Sequence, residues 1–207
     1  MSHQDFSVSE VSADILCEFL EVAFHCILYV RQVYPPGVFE RRKKYNIPVQ
    51  VSRHPEVRSY IQEVVKSLRP LLQNNELEKV VLVILDGFER PVERFVFEIT
   101  TPQQPNISDD SFLLRIEQAL RSFILKLNIC EALLSDKPKD CTWTVQVHTK
   151  ESAVDTLQSQ PLIESFPWVQ AEDLQTSMAD SRLVPLKAMQ TGLVQMQLYA
   201  EEIEDKT

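Results

Sequence analysis

The fold is decided by one stretch, Lys79-Val-Val-Leu-Val-Ile-Leu-Asp86, Gly87-Phe-Glu-Arg-Pro91 and Val92-Glu-Arg-Phe-Val-Phe-Glu-Ile99. Its first segment is nearly all apolar and mostly β-branched, which is typical of a strand buried on both faces. Its last segment alternates between two faces, with Phe95, Phe97 and Ile99 on one and Arg94, Val96 and Glu98 on the other. A short turn between two such strands predicts an antiparallel hairpin. Because an isolated hairpin is marginal in water, the rest of the chain must cover and extend it.

Composition limits the classes of function. The 207 residues predict a single domain, and the apolar fraction of 44% is ordinary for a globular core. The net charge of −9 argues against a general nucleic-acid binder, whose surface should be basic. The three glycines are too far apart to build either common glycine-rich phosphate loop. The apolar run from Ile15 to Val30 contains charged residues and is too short to span a bilayer.

Three helices are expected to cover the hairpin. The first begins at a capping box with Ser7 as its N-cap and runs to about Val33. It is apolar around most of its circumference, which predicts a central buried helix. Its polar residues form one narrow stripe, Asp14, Glu18, Glu21 and His25. The second helix starts at Pro55 and is ended or bent by Pro70, and the third starts at the acidic segment Ser108–Asp110.

The remaining strand signals lie in the second half of the chain. The segment Cys141–His148 has the cleanest alternation of apolar and polar residues and predicts a third strand of the sheet. Leu183–Met189 and Leu193–Ala200 are predicted as two more strands, which follow a long polar tether beginning near Lys150. Connections of that length inside a compact domain are usually functional or mobile. Together these elements predict an α+β fold.

The sequence shows no cluster of residues suited to catalysis or metal binding. The four histidines, His3, His25, His54 and His148, are far apart, and each is expected to be exposed or to cap a helix. The four cysteines lack the spacing of a structural zinc site, and three lie in apolar segments, which predicts buried reduced thiols of an intracellular protein. Cys141 and His148 lie on opposite faces of one predicted strand, so they cannot form a nucleophile pair. We therefore expect no cofactor, no metal and no enzymatic activity.

Two short motifs each allow two interpretations. The basic run Arg41-Arg-Lys-Lys44 lies in a segment, Val38 to Gln50, that is predicted to be irregular or to form short strands. The run is most simply a solvated loop, but it also suits DNA phosphates or a localisation signal. The cluster Phe166-Pro-Trp168 is either an apolar anchor that packs the tether onto the core or an aromatic contact for a partner peptide. The second interpretation follows from the enrichment of tryptophan at binding hot spots.

Several segments in combination resemble the HORMA domain. They are Cys17-Glu-Phe-Leu-Glu-Val-Ala23, Ile27-Leu-Tyr-Val-Arg31, Tyr34-Pro35, Arg42-Lys-Lys-Tyr-Asn46, Pro91-Val-Glu-Arg-Phe-Val-Phe-Glu-Ile99 and Phe166-Pro-Trp168. The resemblance runs from about Ser9 to Glu202, and the order of the predicted elements agrees with it. Within that family the segments are most similar to the mitotic-arrest-deficient-like group, which includes the non-catalytic accessory subunits of DNA polymerase zeta.

The resemblance implies a single HORMA domain over residues 1–207, with a core of about 9–149 and a C-terminal safety belt of about 150–202. Three main helices would lie on one mixed or antiparallel sheet. In this family the belt crosses over an extended partner peptide, pairs again with the sheet and traps the peptide. Backbone pairing at a sheet edge would give affinity, and side-chain pockets would give specificity. Release of the peptide would involve an AAA ATPase remodeller.

The resemblance also assigns roles to individual residues. Tyr60 and Trp168 match positions that grip a proline-containing peptide from the catalytic subunit of DNA polymerase zeta. Leu183, Gln197 and Tyr199 match a surface that docks the C-terminal domain of a Y-family polymerase scaffold. By the alternation of the last predicted strand, Gln197 and Tyr199 share a face, which agrees with a joint surface.

These matches imply a non-catalytic adaptor for error-prone translesion DNA synthesis, with a further role in DNA-end resection through an end-protection complex. Arg121 matches a position used for self-association, which implies a HORMA homodimer. The alternative is a mitotic regulator that inhibits an activator of the anaphase-promoting ubiquitin ligase. The implied location is the nucleus, with the cytoplasm and spindle in addition. Direct nucleic-acid binding through Arg41–Lys44 is a third hypothesis, which the net charge of −9 disfavours.

Overall fold

The computed structural model describes residues 3–102, 111–171, 178 and 180–203, with side chains from residue 8 onward. Along this part of the chain the helices are α1 (His3–Val30), α2 (Pro55–Gln73), α3 (Phe112–Asn128), α4 (Val154–Ser159) and α5 (Pro161–Glu164). The strands are β1 (Phe39–Lys44), β2 (Ile47–Ser52), β3 (Leu77–Leu85), β4 (Pro91–Thr100), β5 (Thr142–Thr149), β6 (Ser181–Gln190) and β7 (Gln195–Ile203). Short 3-10 turns lie at Pro36–Val38, Cys130–Leu133 and Glu151–Ala153.

The predicted hairpin forms the centre of a five-stranded sheet with the strand order β5-β3-β4-β7-β6. Each pairing in this sheet is antiparallel. The residues from Val80 to Ile84 are fully buried, so side chains on both faces of β3 are inaccessible to solvent, as predicted. β5 lies at one edge of the sheet, as an extension of β3, and the β6–β7 hairpin lies on the other side, paired with β4. The hairpin from Leu77 to Thr100 is therefore the platform on which the remaining strands assemble.

Three helices cover one face of this sheet, and α1 lies at the centre, as its apolar circumference predicts. Phe19 of α1 packs edge-to-face on Phe97 of β4 and Phe123 of α3, with ring centroids 6.1 and 5.8 Å apart. Phe24 packs on Phe97 in the same way at 6.1 Å. Each of these rings is completely buried, which stabilises the fold by roughly 2–3 kcal/mol per side chain relative to exposure.

The helix ends differ in part from the predictions. α1 begins at His3, before the predicted cap at Ser7, because residues 3–6 include neither glycine nor proline to stop it. α2 starts at Pro55 as predicted but continues past Pro70 to Gln73, since Pro70 lies within its last turn and removes only one hydrogen bond. The predicted start of the third helix at residues 108–110 lies outside the described residues, and the described part of α3 begins at Phe112.

The basic run is a strand, which is one of the two structures predicted for its segment, and not a solvated loop. Arg41–Lys44 belongs to β1, which pairs antiparallel with β2 in a separate two-stranded sheet. Tyr45 and Asn46 make the turn with φ values of 48° and 58°, and the left-handed conformation suits asparagine well. β1 shows no alternation of apolar and polar residues. It is held in place by backbone pairing with β2, whose Val49 is buried in the core.

His25 is buried in the core, which contradicts the expectation that it is exposed or caps a helix. Its side chain is 1% exposed, because β2 packs over α1 at this point. The backbone N–H of Ser52 donates a hydrogen bond to His25 Nδ1 at 3.3 Å. Burial lowers the pKa of His25 to about 4, and the positive charges of Arg58 and Arg42 act in the same direction. The imidazole is therefore neutral at physiological pH.

The cysteines are free thiols, and Cys26, Cys130 and Cys141 are buried. Burial raises the pKa of Cys26 to about 12 and that of Cys130 to about 11, so both stay protonated at neutral pH. In the described ranges there is no group of three or more His, Cys, Asp or Glu side chains placed to hold a metal ion. Nor do those ranges contain a helix with the length and apolar character needed to cross a membrane.

Candidate functional site

The outer edge of β5 is available for pairing. β5 contacts β3 on its inner side, from Thr142 opposite Leu85 to Thr149 opposite Leu77. Among the described strands none pairs with its outer side, which makes β5 an edge of the sheet. The backbone N–H and C=O groups along such an edge can bind an extended chain as an additional strand.

The chain leaves β5, runs along the end of α2 and resumes in β6 on the far side of the sheet. The Lys150 backbone N–H donates to Glu76 O at 2.9 Å, and Lys150 Nζ donates to Asn75 O at 2.6 Å. Asn74 Nδ2 donates to Thr156 Oγ1 of α4 at 3.0 Å. This segment, which we call the belt together with β6 and β7, is therefore fastened to the core from its first residue.

The first part of the belt, which was described from the sequence only as a polar tether, contains short helices. It forms a 3-10 turn followed by α4 and α5. Its buried residues are Ala153, Thr156 and Ile163, one each in the 3-10 turn, α4 and α5. With one buried residue in each short element, the sequence carries no helical periodicity here.

Four aromatic side chains from three elements meet beside the free edge of β5. The ring of Tyr60 in α2 lies 5.2 Å from that of Trp143 in β5 and 5.9 Å from that of Phe166 in the belt. The ring of Phe166 lies 4.7 Å from that of Trp168. We call these four residues the aromatic cluster. All four are half-buried, so each packs on the core and also presents surface to a ligand.

Hydrogen bonds fix the orientation of the aromatic cluster. Trp168 Nε1 donates to Ser67 Oγ at 3.0 Å, and Trp143 Nε1 donates to the Tyr34 hydroxyl at 2.9 Å. Burial raises the pKa of Tyr60, although a side-chain hydrogen bond with Thr144 opposes this, so the Tyr60 hydroxyl is neutral at physiological pH. The structure thus brings the predicted residues Tyr60 and Trp168 into one site, with Phe166 between them. Sequence reasoning did not assign Trp143 to this site, because its alternation marked it only as a core residue.

The residues predicted to bind the scaffold polymerase lie on the face of the sheet that the helices leave uncovered. They are Leu183, Gln197 and Tyr199. Strand register aligns three adjacent rows across this face. From β6 to β5 they are Leu183, Glu201, Arg94, Val83, Thr144, then Pro185, Tyr199, Val96, Val81, Gln146, and then Ala188, Gln197, Glu98, Lys79, His148. Leu183, Tyr199 and Gln197 therefore occupy three adjacent rows at the belt end of one surface. We call this surface the open face.

A hydrogen-bonded triad orders part of the open face. The Tyr199 hydroxyl donates to Glu98 Oε1 at 2.9 Å, and Lys79 Nζ lies 2.8 Å from the same oxygen. The hydrogen bond from Lys79 lowers the pKa of Glu98, and burial raises the pKa of Tyr199. An ionised Glu98 thus accepts from both partners at neutral pH. Leu183 is 55% exposed, and a cavity of about 290 Å³ lies beside Gln197 between β4, β6 and β7.

Arg121 lies neither in the aromatic cluster nor on the open face. It is half-exposed on α3, on the same helix face as Leu114, Leu125 and Ile129, which are 56%, 49% and 60% exposed. The intervals of seven, four and four residues align these side chains along one stripe. This exposed apolar stripe was visible in the sequence spacing but was not predicted.

The sequence is similar to known proteins over most of its length. The model of the HORMA domain family matches residues 12–159. The chain is 53% identical to the mitotic spindle assembly checkpoint protein MAD2B of Homo sapiens over 202 residues, covering 98% of this chain and 96% of that protein. It is 32% identical to the DNA polymerase zeta processivity subunit of Arabidopsis thaliana, covering 97% and 90% of the two chains. It is 31% identical to DNA polymerase zeta subunit 2 of Drosophila melanogaster, covering 86% and 89%.

Solved structures share the fold. A chain in the crystal structure of a mitotic checkpoint complex superposes with a TM-score of 0.78 at 23% identity, covering 92% of this chain and 98% of that one. HTP-2 of C. elegans bound to closure motif 1 of HTP-3 superposes with a TM-score of 0.72 at 13% identity, covering 92% and 85%. At these identities the likeness concerns the arrangement of helices and strands, and it agrees with the predicted α+β architecture.

Proposed function

We propose that this chain, which belongs to the HORMA-domain family, is a non-catalytic adaptor that traps a partner peptide between the edge of β5 and its C-terminal belt. The observation that carries the proposal is the aromatic cluster. In it, Phe166 and Trp168 of the belt meet Tyr60 and Trp143 beside an edge strand that is free to pair. HTP-2 of C. elegans, which shares this fold, is bound to a closure motif of HTP-3, and this supports the proposal that the fold holds a peptide.

The peptide would bind as a further strand of the sheet. Pairing with the backbone of β5 gives affinity that depends little on the peptide sequence. The aromatic cluster adds selectivity, because the flat faces of Tyr60 and Trp168 suit a proline ring in an extended segment. We assign the peptide to the catalytic subunit of DNA polymerase zeta, since two relatives are named as subunits of that polymerase. Belt opening by an AAA ATPase would then be needed for release.

The open face provides a second binding surface. Leu183, Gln197 and Tyr199 would dock the C-terminal domain of a Y-family polymerase scaffold. β3 and β4 lie between β5 and the belt strands, so the two partners would occupy different edges of the sheet and need not compete. This separation is what a bridging adaptor in translesion synthesis requires.

The α3 stripe around Arg121 would support self-association with a second HORMA domain. The remaining parts of the proposal are a role in DNA-end resection through an end-protection complex, a nuclear location and one domain with a core of residues 9–149 and a belt of 150–202.

A second candidate function is the mitotic one, in which the trapped partner is an activator of the anaphase-promoting ubiquitin ligase. The checkpoint name of the Homo sapiens relative favours that candidate.

A binding experiment tests the trap directly. A synthetic peptide from the proline-rich segment of the polymerase catalytic subunit is titrated against the full chain, Trp168→Ala and Val169→Ala. Val169 is the adjacent residue and is 86% exposed, so it serves as a matched control. Loss of an aromatic hot spot costs at least about 2 kcal/mol, which is roughly a thirtyfold loss of affinity. We expect that loss for Trp168→Ala alone, and equal affinity of all three proteins would contradict the proposal.

A further inference from the structure

Two buried carboxylates face each other where the belt meets the core. Glu93 of β4 and Glu202 of β7 are direct partners in the antiparallel pairing of these strands. Their side chains are 0% and 1% exposed. Two like charges at this separation are unfavourable in a dry interior unless each has a partner of opposite charge. The two buried carboxylates therefore need positively charged partners.

An arginine compensates each carboxylate. Arg31, near the end of α1, donates from Nε to Glu93 Oε2 at 2.9 Å and from a terminal nitrogen to Glu93 Oε1 at 2.5 Å. Arg182 of β6 forms an ion pair with Glu202. With two positive and two negative side chains, the group has no net charge.

A backbone segment joins the two pairs. The Ser135 N–H donates to Glu202 Oε2 at 2.9 Å, and the Ser135 carbonyl oxygen accepts from Arg31 at 2.8 Å. The Leu133 carbonyl oxygen accepts from Arg182 at 3.2 Å. Glu202 is thus held by the core through Ser135 and by its own hairpin through Arg182.

The network contains residues of both the core and the belt, the two parts that move apart when the belt opens. Arg31, Glu93 and Ser135 belong to the core, whereas Arg182 and Glu202 belong to the belt strands. The network is complete only when β7 pairs with β4 in the observed register. A shift of one residue would turn Glu202 to the open face, since side chains alternate along a strand. Separation of the hairpin from β4 would keep both ion pairs but would break the hydrogen bonds that cross between belt and core. These run from Ser135 to Glu202 and from Arg182 to the Leu133 carbonyl oxygen.

We propose that Glu202 is a positioning residue that latches the belt strands in the closed register and limits how often they separate from β4. The inference rests on the proposed function, because a latch on the belt matters to a partner only if the belt traps one. Its consequence is that belt opening is nearly all-or-none, and that closed chains hold their peptide for longer than edge pairing alone would allow.

The latch lies away from the aromatic cluster. In register, Glu202 is followed across the sheet by Glu93, Ile84 and then Trp143 of the cluster. A substitution at Glu202 therefore changes belt opening without removing a contact of the peptide site. Because Glu202 is distant from the peptide site, its effect on belt opening can be measured in the protein without bound peptide.

The chain offers a matched control at the adjacent residue. Glu201 also joins the belt to the core, through an ion pair with Arg94 at 2.8 Å, but it faces the open face and its side chain is 21% exposed. Glu201→Gln removes one belt-to-core ion pair from a wetter site. Glu202→Gln makes the same change of atoms at the buried carboxylate, whose contacts with the core are the hydrogen bonds from Ser135. The comparison therefore isolates the buried contact between belt and core.

The experiment is hydrogen exchange on the full chain without peptide. For Glu202→Gln we expect amide exchange in β6 and β7 to accelerate at least about tenfold, with β3 unchanged. For Glu201→Gln we expect acceleration of about threefold or less. Arg182→Gln, at a side chain that is 49% exposed, should accelerate the same strands as Glu202→Gln.

Two results would overturn the latch. One is equal acceleration in β3 and β7, which indicates a loss of global stability only. The other is unchanged exchange in β7 of Glu202→Gln. Binding of the polymerase peptide is measured separately on the wild-type chain. If it fails to bind, the proposed function is contradicted while the exchange result still decides whether the belt is latched.

Discussion

Trp168 of the belt donates a hydrogen bond from its Nε1 atom to the Oγ atom of Ser67 in α2, at 3.0 Å. Ser67 is 1% exposed, and its own hydroxyl donates to the Val64 carbonyl oxygen at 2.7 Å. The indole is therefore fixed at one end to the core, while the half-buried ring borders the free edge of β5. The two interpretations of Trp168, an anchor and a peptide contact, are compatible in this geometry.

Ser67→Ala should weaken peptide binding less than Trp168→Ala does. The change leaves the buried indole N–H without its acceptor, which costs about 1 kcal/mol and therefore roughly fivefold in affinity. Fluorescence anisotropy with the labelled polymerase peptide measures this. Ser59→Ala is the control on the same helix, because Ser59 is exposed and bonds only to Glu63 in the described structure. Equal affinities for Ser67→Ala and Ser59→Ala would argue against the anchoring role.

Tyr199→Phe should reduce docking of the scaffold polymerase domain while leaving the fold intact. It keeps the ring but removes the hydroxyl that donates to Glu98 at 2.9 Å, so Tyr199 and Glu98 lose their fixed arrangement. One such bond contributes about 1–2 kcal/mol, or roughly five- to thirtyfold in affinity. Calorimetric titration with the isolated domain measures the change. Lys187→Ala, at an exposed position of β6, should bind as the wild type does, and wild-type affinity of Tyr199→Phe would contradict the assigned role.

Acidification should destabilise the protein through His25. Because burial lowers the pKa of His25 to about 4, the unfolded chain takes up a proton near pH 6.5 while the folded chain does not. The contribution is fully present above pH 6.5 and is lost progressively as the pH falls to about 4. It amounts to about 3 kcal/mol of the free energy of unfolding. NMR titration of the His25 ring in the folded protein should give a midpoint near 4, and a midpoint near 6.5 would contradict this account.

Arg31→Ala should destabilise the fold strongly. It leaves the carboxylate of Glu93, which is 0% exposed, without its bidentate partner. Breaking a buried pair from one side costs about 3–5 kcal/mol, which urea unfolding resolves readily. Arg69→Ala is the control, because the Arg69–Asp14 pair has side chains that are 39% and 59% exposed. A similar change in the free energy of unfolding for both variants would argue against a special role for burial.

The core of the fold was predictable because its signal is local. The β-branched run from Val80 to Ile84 is buried on both faces, and the alternation at Trp143 and Val145 predicted the edge strand beside it. β1 could not be decided between irregular structure and a short strand, because its polar residues carry no such pattern. Its stability comes from pairing with β2, which no periodicity within β1 reveals. His25 was misplaced because helical spacing gives the face of a residue but not what packs over that face.

The binding sites depend on contacts between distant segments, and spacing alone could not assemble them. Gln197 and Tyr199 share a face by strand alternation, but Leu183 joins them only through the register of β6 on β7. Tyr60 and Trp168 meet through Phe166, and this requires the belt to pack on α2. Their roles were inferred from family resemblance, and the structure adds the geometry that the resemblance could not supply.

The most direct test of the belt trap is hydrogen exchange of the wild-type chain with and without the proline-containing polymerase peptide. If the peptide pairs with β5 under the belt, the amides of β5 and of residues 161–169 should become protected at least about tenfold, while β1 and β2 stay unchanged. Absence of protection in β5, or equal protection across all strands, would contradict the account.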